Sequence, residues 1–114
     1  MSAPSGPART PAPPYYAVIF TSRRTEGDQG YGAMAKKMEE MGSAYDGFLG
    51  LESVRGPDGT GITVSYWRDE AAIRAWKQDA EHQRAQRGGR ETWYDAYEVR
   101  IARVERAYGF QRGG

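Results

Sequence analysis

The chain of 114 residues has no cysteine, no asparagine and a single histidine, His82. Without cysteine, disulfides, thiolate nucleophiles and zinc–thiolate sites are excluded. With one imidazole and no motif around any serine, no nucleophile–base–acid constellation can be assembled, and no metal site is expected. No apolar run approaches the ~20 residues needed to span a bilayer, so no membrane partner is expected. An excess of one charge is also missing: 16 Lys and Arg face 15 Asp and Glu for a net charge of +1. Nothing here provides a broad positive field for nucleic acid.

Proline is scarce outside the first fourteen residues, which hold five of the six. Almost no large apolar side chain precedes Tyr15, so this stretch cannot bury enough surface to offset its ordering entropy. Residues 1–14 are therefore expected to be a disordered Pro-rich tail. They lack the apolar core of a signal peptide, which makes the cytoplasm the expected location. Residues 15–110 are expected to form one domain, and 111–114 a flexible C-terminus. A folded part of roughly 95 residues is small, and self-association would help it bury surface.

What is present alternates between two periodicities. Tyr15 to Arg24 is β-branched and aromatic and reads as a strand, apolar on both faces through Phe20. From Asp28 or Gln29 to about Tyr45, the residues Tyr31, Met34, Ala35, Met38 and Met41 fall at helical spacing. The methionines serve either core packing or an adaptable ligand groove. Gly47 to Arg55 and Gly61 to Trp67 read as strands joined by the turn Gly56-Pro57-Asp58-Gly59, in which proline presets φ and Asp-Gly tolerates positive φ. Gly50 inside the second strand marks a bulge or a close backbone approach. Asp69 is the expected N-cap of a second helix with an Ile73, Trp76 and Ala80 stripe, ended by Gly88-Gly89. Arg90 to Tyr94 reads as one more helical turn. Tyr97 to Tyr108 reads as the last strand, with Val104 out of phase at a bulge. Its Arg100, Arg103 and Arg106 alternate with Glu98 and Glu105, a solvated or interfacial ion-pair ladder. The glycine-rich pieces 27–32 and 56–61 lack the strand–GxGxxG–helix context for phosphate.

The order βαββαβ predicts an α+β, ferredoxin-like fold, with two helices on one face of a four-stranded antiparallel sheet. The other face then needs cover, and a second copy packed sheet against sheet supplies it.

One run holds all three tryptophans and the histidine: Tyr66-Trp67, Asp69-Glu70-Ala71-Ala72-Ile73-Arg74-Ala75-Trp76, Glu81-His82, Ala85-Gln86, Gly89-Arg90 and Trp93-Tyr94. Together with Val104-Glu105-Arg106-Ala107-Tyr108-Gly109-Phe110, it resembles an antibiotic biosynthesis monooxygenase (ABM) domain of the dimeric α+β barrel group. The resemblance extends over Tyr15 to Phe110. It implies a homodimer with two facing sheets and, in each subunit, a pocket between helices and sheet. Characterised relatives either oxidise polyketide-type phenols or quinols with oxygen and no cofactor, or degrade haem. The haem degraders carry a first-strand asparagine, the helix tryptophan and a histidine ten residues after it. Trp76 matches the tryptophan. Gln86 stands at the histidine position and asparagine is absent, so haem is not the expected cofactor and none is expected.

Oxygen reacts slowly with closed-shell molecules, but an electron-rich phenolate or enolate can donate an electron to it. A pocket for that chemistry needs aromatic walls, a base of near-neutral pKa and a donor or cation for the anion. His82 is the candidate base, although it lies off the centre of the helical stripe. Trp67, Trp76, Tyr16, Phe20, Tyr66 and Trp93 are the candidate substrate-pocket residues, and each serves equally as core. The expected function is cofactor-independent monooxygenation of a small aromatic or polyketide-like molecule. The alternative is a non-catalytic small-molecule-binding or stress-associated dimer of the same fold.

Overall fold

Tyr15–Arg24, apolar on both faces through Phe20, forms the internal strand β1 of the computed structural model, which describes residues 6–86 and 92–113, without the side chains of 81–86. It is followed by α1 (Tyr31–Ser43), β2 (Phe48–Arg55), β3 (Thr60–Trp67), α2 (Glu70–Gln86) and β4 (Tyr94–Val104). The four strands form one sheet in the order β2-β3-β1-β4. Each pairing is antiparallel. This is the βαββαβ arrangement expected from the alternating periodicities. Among the described residues, no helix is long and apolar enough to cross a membrane.

The β2–β3 connection closes as its residues dictate. Gly59 takes φ +88°, Gly56 N–H donates to Thr60 O at 2.8 Å and Thr60 N–H donates to Asp58 Oδ1 at 3.0 Å. Helix α1 starts from Gly30 at φ 85°, with the Asp28 carboxylate accepting from the N–H groups of Gly30 and Gly32. Helix α2 starts at the expected cap, where Asp69 Oδ1 accepts from Ala72 N–H at 2.9 Å.

The pairing register fixes which side chains share a face, because alternate residues of a strand point to opposite sides. Four rows cross the sheet beneath the helices. They are Arg55–Gly61–Ser22–Tyr97, Ser53–Thr63–Phe20–Val99, Leu51–Ser65–Val18–Ile101 and Phe48–Trp67–Tyr16–Arg103. The opposite face carries Val54–Ile62–Thr21–Glu98, Glu52–Val64–Ile19–Arg100 and Gly50–Tyr66–Ala17–Ala102.

Two expected details shift. The last strand starts at Tyr94 rather than Tyr97 and ends at Val104 rather than Tyr108. Its start is tied to the end of β1, since Arg24 Nε and Thr25 N–H both donate to Trp93 O. Its end falls where β1 runs out, with Val104 opposite Tyr15. Beyond it, Tyr108 and Phe110 are exposed. The β1–β4 register shift lies at Arg23/Arg24, not at Val104, and a second one at Phe48/Gly50 matches the irregularity that Gly50 signalled. Residues 6–14, before β1, have neither helix nor strand. Its Ala8 N–H donates to Glu52 Oε2 at 2.9 Å, and Thr10 Oγ1 pairs with the Tyr15 hydroxyl at 2.7 Å. Ala8 lies so near β2 that a Cβ on Gly50 would sit 3.1 Å from its own.

Candidate functional site

The sheet floor and the two helices enclose a pocket of about 190 Å³. Its floor is divided lengthwise. On β1 and β4 it is apolar: Val18, Phe20, Val99 and Ile101, with the Tyr97 ring. On β2 and β3 it sets hydroxyls among Phe48, Leu51 and Trp67, with Ser53 Oγ and Thr63 Oγ1 2.8 Å apart and Ser65 one row further on. The roof is Met34, Met38 and Gly42 from α1 with Ile73, Trp76 and Ala80 from α2. Glu39 and Lys77 also line it. On the edge strand, Ile101 lines the pocket yet is 46% exposed, so the cavity reaches solvent along β4.

Trp67 is the base of one end. It is 0% exposed and its Nε1–H donates to Ser65 Oγ at 2.9 Å. Its ring meets Phe48 edge-on with centroids 5.5 Å apart and Trp76 tilted at 5.6 Å. Trp76 Nε1–H is buried without a hydrogen-bond partner among the described residues. The indole lies so close to α1 that a Cβ on Gly42 would sit 2.9 Å from Nε1. At the other end Trp93 is 4% exposed, and its Nε1–H donates to Gln29 O at 2.8 Å. Tyr31 meets Trp93 and Tyr94 edge-on, while Phe20 packs on Tyr94 and Tyr97. Edge-on and tilted ring pairs at these spacings are favourable.

The six pocket candidates from the sequence separate. Phe20, Trp67, Trp76 and Trp93 line the cavity. Tyr16 shares their face of the sheet but is not part of the lining; it packs against the cluster around Trp67. Tyr66 lies on the opposite face, because it adjoins Trp67 in a strand and adjacent residues cannot share a face. There its hydroxyl donates to Glu52 Oε1 at 2.7 Å and its ring meets Tyr15. Burial, aided by that hydrogen bond, pushes the Tyr66 phenol up to about 12. His82 lies on α2, and its side chain, like that of Gln86, is outside the described residues. Among the described residues there is no group of three or more His, Asp and Glu able to hold a metal ion.

The junction that aims α2 over the pocket is an ionic brace. Arg68 N–H donates to Gly47 O at 2.7 Å, and its guanidinium contacts Asp46 at 3.0 Å and Asp69 at 3.2 Å. The Ala72 N–H, then the Arg68 guanidinium, hold the Asp69 carboxyl below its ordinary value, and Arg68 lowers Asp46 likewise. Gly47 has φ +93°, and a Cβ there would fall 2.7 Å from that of Ala72. Sequence reasoning did not single out the wall residues Tyr31, Ser53, Thr63, Ser65, Tyr97, Val99 and Ile101 as a site. For the six on strands, alternation alone signals their side of the sheet and only the register brings them together, while Tyr31 reaches them from the start of α1.

Comparison with known proteins bears on this geometry. The family described as antibiotic biosynthesis monooxygenase matches residues 14–88. The Bacillus subtilis protein YqjZ, itself named uncharacterized, is 52% identical over 91% of this chain and 91% of its own length. The jasmonate monooxygenase ABM of Pyricularia oryzae is 31% identical over 78% of this chain and 43% of its own. Among solved structures, the cofactor-independent oxygenase SnoaB of Streptomyces nogalater superposes with a TM-score of 0.68 at 12% identity, covering 83% of this chain and 97% of that one. The protein SO0527 of Shewanella oneidensis gives 0.69 at 14% identity, over 82% and 94%. At these identities the two structures show a shared fold.

Proposed function

The chain belongs to the antibiotic biosynthesis monooxygenase family, and on that premise we propose that it oxidises a small aromatic or polyketide-like molecule with oxygen and without a cofactor. The observation that carries this reading is the aromatic-walled pocket. Trp76 and the methionines roof it rather than fill it, leaving about 190 Å³. The fungal relative's name also supports monooxygenation of a small organic molecule. For a phenol the reaction balances without an external reductant. The phenol gives up the hydrogens of its O–H and of one ring C–H, its own oxygen stays as one carbonyl, one atom of O2 becomes the other, and the second atom leaves with the two hydrogens as water. The four electrons that oxygen needs come from the substrate. The apolar half of the floor holds the ring, the hydroxyls of Ser53, Thr63 and Ser65 face its polar edge, and His82 is the proposed base.

The test uses 1-naphthol, which this reaction converts to 1,4-naphthoquinone and water. Oxygen uptake with quinone formation above the uncatalysed rate is expected, and His82→Gln should lower kcat roughly 100-fold or more. Binding of 1-naphthol without oxygen uptake would instead favour the non-catalytic binding protein.

We propose further that the active form is a homodimer joined through the sheet face away from the helices. On that face Val54 is 72% and Ile62 43% exposed, and the two are directly paired. An exposed apolar sheet face is the kind of patch that a second copy covers. Sedimentation equilibrium should return twice the chain mass, and Ile62→Asp should return the single-chain mass. A monomeric wild type would remove this part of the reading.

A further inference from the structure

The first floor row ends in a guanidinium that has no carboxylate beside it among the described residues. Arg55 donates from Nη2 to Ser22 Oγ at 2.9 Å and to the Tyr31 hydroxyl at 3.3 Å, and from Nη1 to Gly59 O. Arg24 approaches from the other side of the row, with Nε to Trp93 O and Nη2 to the carbonyls of Gly27 and Asp28. Both guanidiniums lie over the Tyr31 ring, 3.7 Å for Arg24 and 5.7 Å for Arg55. Arg23, Arg68 and Arg103 each have a carboxylate within 4 Å. Among the described residues neither Arg24 nor Arg55 does, so two positive charges gather here against neutral partners.

The position is built by the sequence of the facing strand. A Cβ on Gly61 would fall 2.7 Å from Arg55 Cζ and 3.0 Å from its Nε. Only glycine lets the guanidinium lie flat on β3, level with the floor. The next row, Ser53–Thr63–Phe20–Val99, is already pocket, and Tyr31 belongs both to the pocket wall and to the Arg55 contact. The acidic wall residue Glu39 is eight residues along α1 from Tyr31, roughly 12 Å at 1.5 Å per residue, so it does not neutralise this end.

We propose that the row bordering this end of the pocket is a carboxylate subsite, and that the substrate is an organic acid whose apolar ring lies between Trp76 and Phe20 while its carboxylate reaches past Tyr31 and Tyr97 to Arg55, which itself lies just outside the pocket lining. Arg55 keeps its Nε–H and one Nη1–H free of the contacts above, enough for a charge-assisted hydrogen bond to a carboxylate, and Arg24 adds a second charge behind Tyr31. The inference rests on the pocket being the substrate site, as proposed above.

Calorimetric titration with 3-cyclohexylpropanoate and its neutral isostere 3-cyclohexylpropanamide, at fixed ionic strength, tests it. The acid should bind the wild type at least tenfold more tightly than the amide. In Arg55→Gln the acid should fall to the level of the amide, with the amide unchanged, and Arg55→Lys should restore part of the preference. Equal binding of acid and amide by the wild type would overturn the subsite and leave the pocket reading intact. Loss of both ligands in Arg55→Gln would assign Arg55 a structural role and overturn it as well. Binding of neither ligand by the wild type would overturn the subsite together with the pocket reading.

Discussion

Trp67→Ala is expected to destabilise the protein by about 3–5 kcal/mol, the range for removing a large aromatic side chain from a core. Trp67 is the largest fully buried side chain described, and Val18, Ala72 and Ile73 cluster around it. It also links the layers, since its ring meets Phe48 of the sheet and Trp76 of α2. Its removal leaves the half-buried faces of both without a partner and strips Ser65 Oγ, in a residue 8% exposed, of its donor. A buried polar atom that loses its partner adds its own cost. Against a typical total of about 5–15 kcal/mol, such a loss is a large fraction of the stability. Denaturant unfolding should show the midpoint moved with the slope unchanged. A loss below about 1 kcal/mol would mean that the core is not organised around this residue.

The second large effect is on binding. Thr63→Trp should abolish binding of 1-naphthol, weakening it by well over tenfold, while leaving stability within about 1 kcal/mol of wild type. Thr63 projects from the middle of the floor, between Ser53 and Phe20 in its row. An indole there extends into free space rather than into packed atoms, so the usual overpacking strain is small. The hydrogen bond that is lost, Ser53 Oγ to Thr63 Oγ1, is solvent-exposed, and water replaces it. Calorimetric titration with thermal unfolding on the same sample separates the two effects. Undiminished binding would place the ligand elsewhere on the molecule.

The candidate site was partly legible because period and face are local properties. In β3 the alternation at Ser65-Tyr66-Trp67 already forbids Tyr66 and Trp67 from sharing a pocket, and that rule corrects the inclusion of Tyr66. Tyr16 needed more, because its face is right and Phe48 and Trp67 of its row line the cavity, yet its own ring packs against the cluster around Trp67 instead. The Met34 and Met38 stripe was visible, yet its spacing could not distinguish a packed core from a roof over empty space. The hydroxyl half of the floor left no mark at all, since Ser53, Thr63 and Ser65 lie on two strands and become neighbours only through the β2–β3 register.

The sequence by itself determined the element order, the α2 cap at Asp69, the turn at Gly56 to Gly59 and the family, because each is written in periodicities and short motifs that can be read along the chain without knowing which segments touch. It also excluded thiolate and disulfide chemistry by composition alone. The tertiary structure decided where β4 begins and ends, because a ladder extends only as far as its partner strand. It decided that Trp76 and the methionines leave a cavity, because packing is a property of volumes brought together from distant segments. And it decided that Arg55 lies on Gly61 beside Arg24 and Tyr31, because that charge cluster joins residues from β1, β2, β3 and α1, related only by their places in the sheet and the helix above it.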